Sequence, residues 1–171
     1  HPVWSAGVVS PGHAIYREFY RDICWDAPLD YPLPPLHSTG ERRHLGLKYH
    51  RITGKTVPQD QKQPYLPKLA REKASENASH FISERIKQAH LLRETFEGHP
   101  PLVVSPYDAE LSGHWWFEGP QFRDFFFKTI HFDQDDIQCL TPGDFLHSGL
   151  PVQAPNTTPP RRDETSQHQT R

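Results

Sequence analysis

Leu102-Val103-Val104-Ser105-Pro106-Tyr107-Asp108-Ala109-Glu110-Leu111-Ser112-Gly113-His114-Trp115-Trp116-Phe117-Glu118-Gly119-Pro120 is the stretch that decides how this chain is read. It opens with Leu102-Val103-Val104-Ser105, a short uninterrupted apolar run, the pattern of a buried strand. A polar and aromatic loop follows. Gly119-Pro120 then leads into Gln121–Thr129, a segment expected to be helical. Before the run, Ala70, Ala74, Ala78, Phe81, Ile82, Ile86, Ala89, Leu92 and Phe96 recur at steps of three and four. That spacing predicts one long amphipathic helix over residues 69–96, with Pro67 near its start and Gly98 just past its end. Helix, buried strand, loop, helix is an α/β order with parallel strands, and in such folds chemistry sits on the loop after the strand.

Outward from there the signals weaken. Ile15, Phe19 and Ile23 are spaced by four and suggest a short helix. Four prolines between residues 28 and 35 forbid a helix interior there. Residues 45–52 alternate loosely, as a strand would, and residues 58–67 read as a polar loop. Thr141-Pro142-Gly143-Asp144 has the form of a helix cap or turn. From Gly149 the periodicity is lost, and residues 151–171 hold almost nothing to bury, so a disordered tail is expected.

Composition narrows the function. The chain has 171 residues, enough for one ordinary domain, and 18 prolines. A net charge of −2 offers no broad basic surface for nucleic acid. No apolar run of about 18 residues is present, so no membrane span is expected. Cys24 and Cys139 form no metal motif or disulfide framework, and two thiols fit a reducing cytoplasm. There is no methionine, not even at position 1. A removed start, or a piece of something longer, is therefore expected.

Asp108 and Glu110 are two carboxylates on the loop, and glycoside chemistry needs a pair of them. In an extended loop both would share a face; in a turn they would diverge. Trp115, Trp116 and Phe117 are either core packing beneath the loop or a platform on which sugar rings stack, and Trp4 and Trp25 have the same two readings. His114 is placed to bond a sugar hydroxyl, to orient Asp108, or simply to cap a turn. Arg17 lies in a run of alternating charge and aromatics that suits either sugar binding or a salt-bridged helix. His80 and Glu84 stand four apart, but no HExxH and no zinc spacing accompanies the 12 histidines, and no metal or cofactor is expected.

The run Pro106-Tyr107-Asp108-Ala109-Glu110-Leu111, then Gly113-His114-Trp115-Trp116-Phe117-Glu118-Gly119-Pro120, closely resembles the acid/base motif of glycoside hydrolase family 57, in its branching-enzyme form. Val3-Trp4-Ser5, Pro11-Gly12, Tyr16-Arg17-Glu18-Phe19-Tyr20-Arg21-Asp22-Ile23 and Gly46-Leu47-Lys48-Tyr49-His50-Arg51-Ile52-Thr53 resemble the family's stretch between its catalytic motifs. The resemblance implies part of an incomplete (β/α)7 barrel over residues 1–148, followed by a non-family tail over 149–171. It implies retaining transfer on an α-1,4-glucan to make α-1,6 branches, with Asp108 as acid/base and Arg17, Trp25, His114, Trp115 and Trp116 binding substrate. The family's Glu nucleophile lies upstream of everything in this chain, so the missing N-terminal half would be a partner and the chain alone would be inactive. Ser112 stands where the family usually has an aromatic. A degenerate fragment that binds α-glucan weakly, or a 4-α-glucanotransferase or α-amylase of the same family, are the alternatives.

Overall fold

A computed structural model of the chain describes residues 13–28, 30, 40–54, 56–97, 99–113 and 115–150. The chain divides into two compact units between Gln138 and Cys139. In the first, α1 spans Ile23–Asp26, α2 spans Pro67–Thr95 and α3 spans Gly119–Phe132; 3-10 turns cover Gln59–Gln61 and Ala109–Leu111. In the second, α4 spans Pro142–His147.

The long helix forms where its spacing places it. Pro67 takes the first helical position, where its missing N–H costs nothing. Ala70, Ala74, Ala78 and Ile82 are buried along one face. Three alanines in a row at four-residue steps let other chain approach α2 closely. At its end the Phe96 N–H bonds the Leu92 carbonyl, and Glu97 takes a positive φ of 54°, the left-handed exit common at helix ends. Gly98, expected as the terminator, lies outside the described residues. Helix α3 begins two residues earlier than its pattern suggested and packs on α2, with the Phe81 ring 6.0 Å from Phe122 and 5.8 Å from Phe126. In α4, Thr141 and Asp144 form a reciprocal capping box, as the sequence indicated.

Two expected elements are corrected. Residues 15–23 are not a helix. Only Ile23–Asp26 is helical, capped by the Asp22 side chain, and the chain before it runs through a turn and bends, with a bridge from Arg17 to Arg51. Residues 102–105 are not a buried strand: Leu102 is exposed and Val104 is 74% exposed. Among the described residues there is no strand ladder, only isolated bridges at Arg17–Arg51, His50–Pro64 and Ser112–Trp116. A parallel strand needs neighbours for its N–H and C=O groups, and the described residues supply none to this run. The strand expected at 45–52 is reduced to the bridges at His50 and Arg51. The α/β order expected from the sequence is therefore present only as its helices, and the disordered tail expected beyond residue 150 lies outside the described residues.

The core of the first unit is built from Tyr16, Ala70, Ala74, Leu111 and Trp116, with Ile15, Ile52, Tyr65, Phe122 and Phe125 packed on it. It therefore joins the segment around Tyr16, both long helices and the Asp108 loop. Asp22 organises the adjoining loop, its buried carboxylate accepting the N–H groups of Cys24, Leu45 and Gly46.

Candidate active-site loop

The loop from Asp108 to Glu118 is held by its own backbone. The Leu111 N–H bonds the Asp108 carbonyl at 3.2 Å, closing the 3-10 turn. The Trp116 N–H bonds the Leu111 carbonyl at 2.7 Å, and the N–H groups of Gly113 and Gly119 both reach the Trp116 carbonyl. Leu111 and Trp116 are buried and act as the loop's two anchors. Asp108 itself is exposed and leads the turn, its side chain making no capping bond. The turn starts at Ala109, between the two acids, so the extended spacing that would have put Asp108 and Glu110 on one face is absent.

From Trp115 to Glu118, exposed and buried residues alternate. Trp115 and Phe117 are about half exposed; Trp116 and Glu118 are buried. The segment from Tyr16 to Phe19 alternates too, with Tyr16 and Glu18 buried and Arg17 and Phe19 partly exposed. Two segments with this alternation of burial meet here. Their buried members pack together, Tyr16 on Trp116 at 5.7 Å. Their exposed members pair as well. Trp115 stacks on Phe19 at 4.2 Å, and the Arg17 guanidinium lies 3.5 Å above the Phe117 ring.

Glu118 ties the two segments. It is fully buried, and its Oε1 accepts the Arg17 backbone N–H at 3.0 Å. Burial pushes the Glu118 carboxyl above its usual range, opposed by that N–H, by Tyr65 and by the Arg17 charge. Burial, together with Glu118, pushes the Tyr65 phenol up. Burial also lowers the half-buried Arg17, with Glu118 pulling the other way.

The structure thus brings Arg17, Trp115 and Trp116 together. They differ in kind: Trp116 is core and Trp115 is surface, which divides the two readings that the sequence left open. Trp25 is 50% exposed on α1, with His44 as its aromatic neighbour at 5.8 Å. His114 and Trp4 lie outside the described residues. Phe117 was named in the sequence with Trp115 and Trp116; Phe19, Tyr65 and Glu118 were not marked as site residues. Burial alternates along Tyr16–Phe19 and Trp115–Glu118, but the residue types do not, so the sequence carried no local signal for them. Among the described residues no group of three or more His, Cys, Asp or Glu could hold a metal ion, and no helix is long and apolar enough to cross a membrane.

Over 121 residues, 70% of this chain, the sequence is 40% identical to the 1,4-alpha-glucan branching enzyme TK1436 of Thermococcus kodakarensis. The crystal structure of TK1436, a GH57 branching enzyme, superposes with a TM-score of 0.68 at 31% identity, covering 90% of this chain and 24% of that one. The chain is a homologue of the glycoside hydrolase family 57 branching enzymes. This homologue spans only 15% of the length of TK1436 in the sequence comparison. It is also similar to the alpha-amylase AmyC of Thermotoga maritima, at a TM-score of 0.78 and 40% identity, covering 89% of this chain and 29% of AmyC. No protein-family model matches it.

Proposed function

We propose that these residues are the acid/base segment of a family 57 branching enzyme, part of its incomplete (β/α)7 barrel, acting on α-1,4-glucan. The observation that carries this reading is the placement of Asp108: an exposed carboxylate at the head of a turn whose far end, Leu111, is bonded to Trp116, in a loop that also leaves Trp115 half exposed. In a retaining transfer, a carboxylate from elsewhere in the enzyme attacks the anomeric carbon while Asp108 gives its proton to the departing glycosidic oxygen. Asp108, now a carboxylate, takes the proton of the acceptor's 6-hydroxyl as that oxygen displaces the enzyme carboxylate. Trp115 and Phe19 give the glucan an aromatic face, and Arg17 on Phe117 gives it donors. The nucleophile is not among these residues, so the 171-residue chain alone binds glucan without turning it over.

The similarity to AmyC supports a second reading, hydrolysis in place of transfer. Incubating the purified chain with amylose tests both. The expected result is no iodine-stain shift and no new reducing ends, with retardation in an amylopectin gel that Trp115→Ala removes and Asp108→Asn keeps. Branching or hydrolysis by the chain alone would overturn the claim that its nucleophile lies elsewhere. Unretarded migration would overturn glucan binding.

A further inference from the structure

We infer that Glu118 is a positioning residue for the ligand-facing wall, acting through Arg17. Four observations carry this. Glu118 is fully buried in the loop at the head of α3, yet its side chain reaches a residue 101 positions away in sequence. It accepts the backbone N–H of Arg17, which sits between the two buried anchors Tyr16 and Glu18 and so fixes the register of that segment. Arg17 and Phe19 stand on the opposite side of the same segment, and each covers one ring of the loop, Phe117 and Trp115. Finally, the Arg17 guanidinium bonds no acceptor and pairs with no carboxylate among the described residues; it sits over the Phe117 ring within the field of Glu118.

The last point shapes the role. A direct ion pair would use up the donors of Arg17. A buried carboxylate close enough to attract the guanidinium, but bonded to the main chain instead, keeps the cation down on the ring and its N–H groups available. Cation–π attraction alone is modest at a half-exposed site, so the negative charge behind the wall decides whether the side chain stays on the ring or swings into water. Glu118 touches no ligand in this account. It sets where a ligand finds Arg17, Phe117, Phe19 and Trp115. The ligand class rests on the glucan reading above; the positioning does not.

The test is an NMR measurement on the full 171-residue chain, with maltoheptaose titrations alongside. Protons held over a ring face resonate upfield, so the Arg17 Hδ and Hε signals should be displaced upfield in the unsubstituted chain. Glu118→Gln keeps an acceptor for the Arg17 N–H but removes the charge. The upfield displacement should fall by about half or more and maltoheptaose affinity by about threefold or more, with α2 amide signals unchanged. Glu118→Asp, which keeps the charge, should restore part of both. Arg17 signals at ordinary positions in the unsubstituted chain would overturn the inference without any variant. So would a Glu118→Gln chain with unchanged Arg17 signals and affinity. An unsubstituted chain that ignores maltoheptaose, while its Arg17 signals still respond to Glu118, would sink the glucan reading and leave the positioning role standing.

Discussion

Gly119 meets Ser112 so closely that a Cβ on Gly119 would lie 2.8 Å from the Ser112 Cα and 2.9 Å from its Cβ. The contact closes the loop: residue 112 bridges to Trp116, and Gly119 bonds back to the same Trp116 carbonyl. Gly119→Ala should therefore act against helix propensity. Alanine in a helix is favoured over glycine by about 1 kcal/mol, but here the clash is with main chain, which cannot rotate away. A net loss of about 1–3 kcal/mol is expected, read as a fall in the urea midpoint. A variant as stable as the parent would mean that residues 112 and 119 separate freely.

Two adjacent tryptophans should behave as opposites. Trp116 is buried among Tyr16, Phe122 and the α2 alanines, and Trp116→Ala should cost about 3–5 kcal/mol. Trp115 is 48% exposed and stacks on Phe19. Trp115→Ala should cost about 1 kcal/mol while removing most of the glucan retardation. Equal melting shifts in the two variants would contradict the division into anchor and platform.

That division shows what the sequence made legible and what it did not. Helix α2 and the α4 cap were readable because their signals are local: alanines at four-residue steps, Thr141 three before Asp144. The Asp108 loop was readable as a motif. Residues 15–23 were misread because Ile15, Phe19 and Ile23 satisfy helical spacing, whereas the chain before Ile23 forms no helix. Distant partners decide this, and no local rule supplies them. Tyr16 bonds Asn77, Glu18 meets Lys62, and the Glu18 N–H bonds the His50 carbonyl. Glu118 was illegible for the same reason. As one of 21 acids in sequence, it looks like a solvated residue. Only the fold shows it buried against Arg17.

The Lys62–Glu18 pair offers a third prediction. Lys62 Nζ lies 2.5 Å from Glu18 Oε2, both buried, and also bonds the Gly54 carbonyl at 3.1 Å. Lys62→Met should leave a carboxylate and a carbonyl unpaired, costing about 3–5 kcal/mol. Adding Glu18→Gln should restore part of that loss but not all, because Gly54 remains without its donor. A double-mutant cycle in urea gives the coupling. Strict additivity would show the two charges are independently solvated.

The last prediction concerns pH, and its sign is opposite to that of a salt-bridged acid. Burial raises the Glu118 carboxyl above the ordinary value of 4.5, against the pull of the Arg17 N–H, Tyr65 and the Arg17 charge. The folded chain then holds the Glu118 proton over a window in which the unfolded chain has released it. Stability from this group is fully present below the unfolded value and is lost as pH rises through the folded one. Within the window the slope can approach about 1.4 kcal/mol per pH unit, the limit for one proton. Compared with Glu118→Gln, the parent should lose stability as pH rises through that window and run parallel to it elsewhere. Urea midpoints of the two chains, measured across the acid range, give the difference curve; a flat curve would mean that burial does not penalise the Glu118 charge. A falling curve that levels off below neutral pH would say more than that. The chain would be keeping, at neutral pH, a charge that weakens its fold, at the one position whose charge holds Arg17 against Phe117. That is the pattern expected where a site is held in place at the expense of stability.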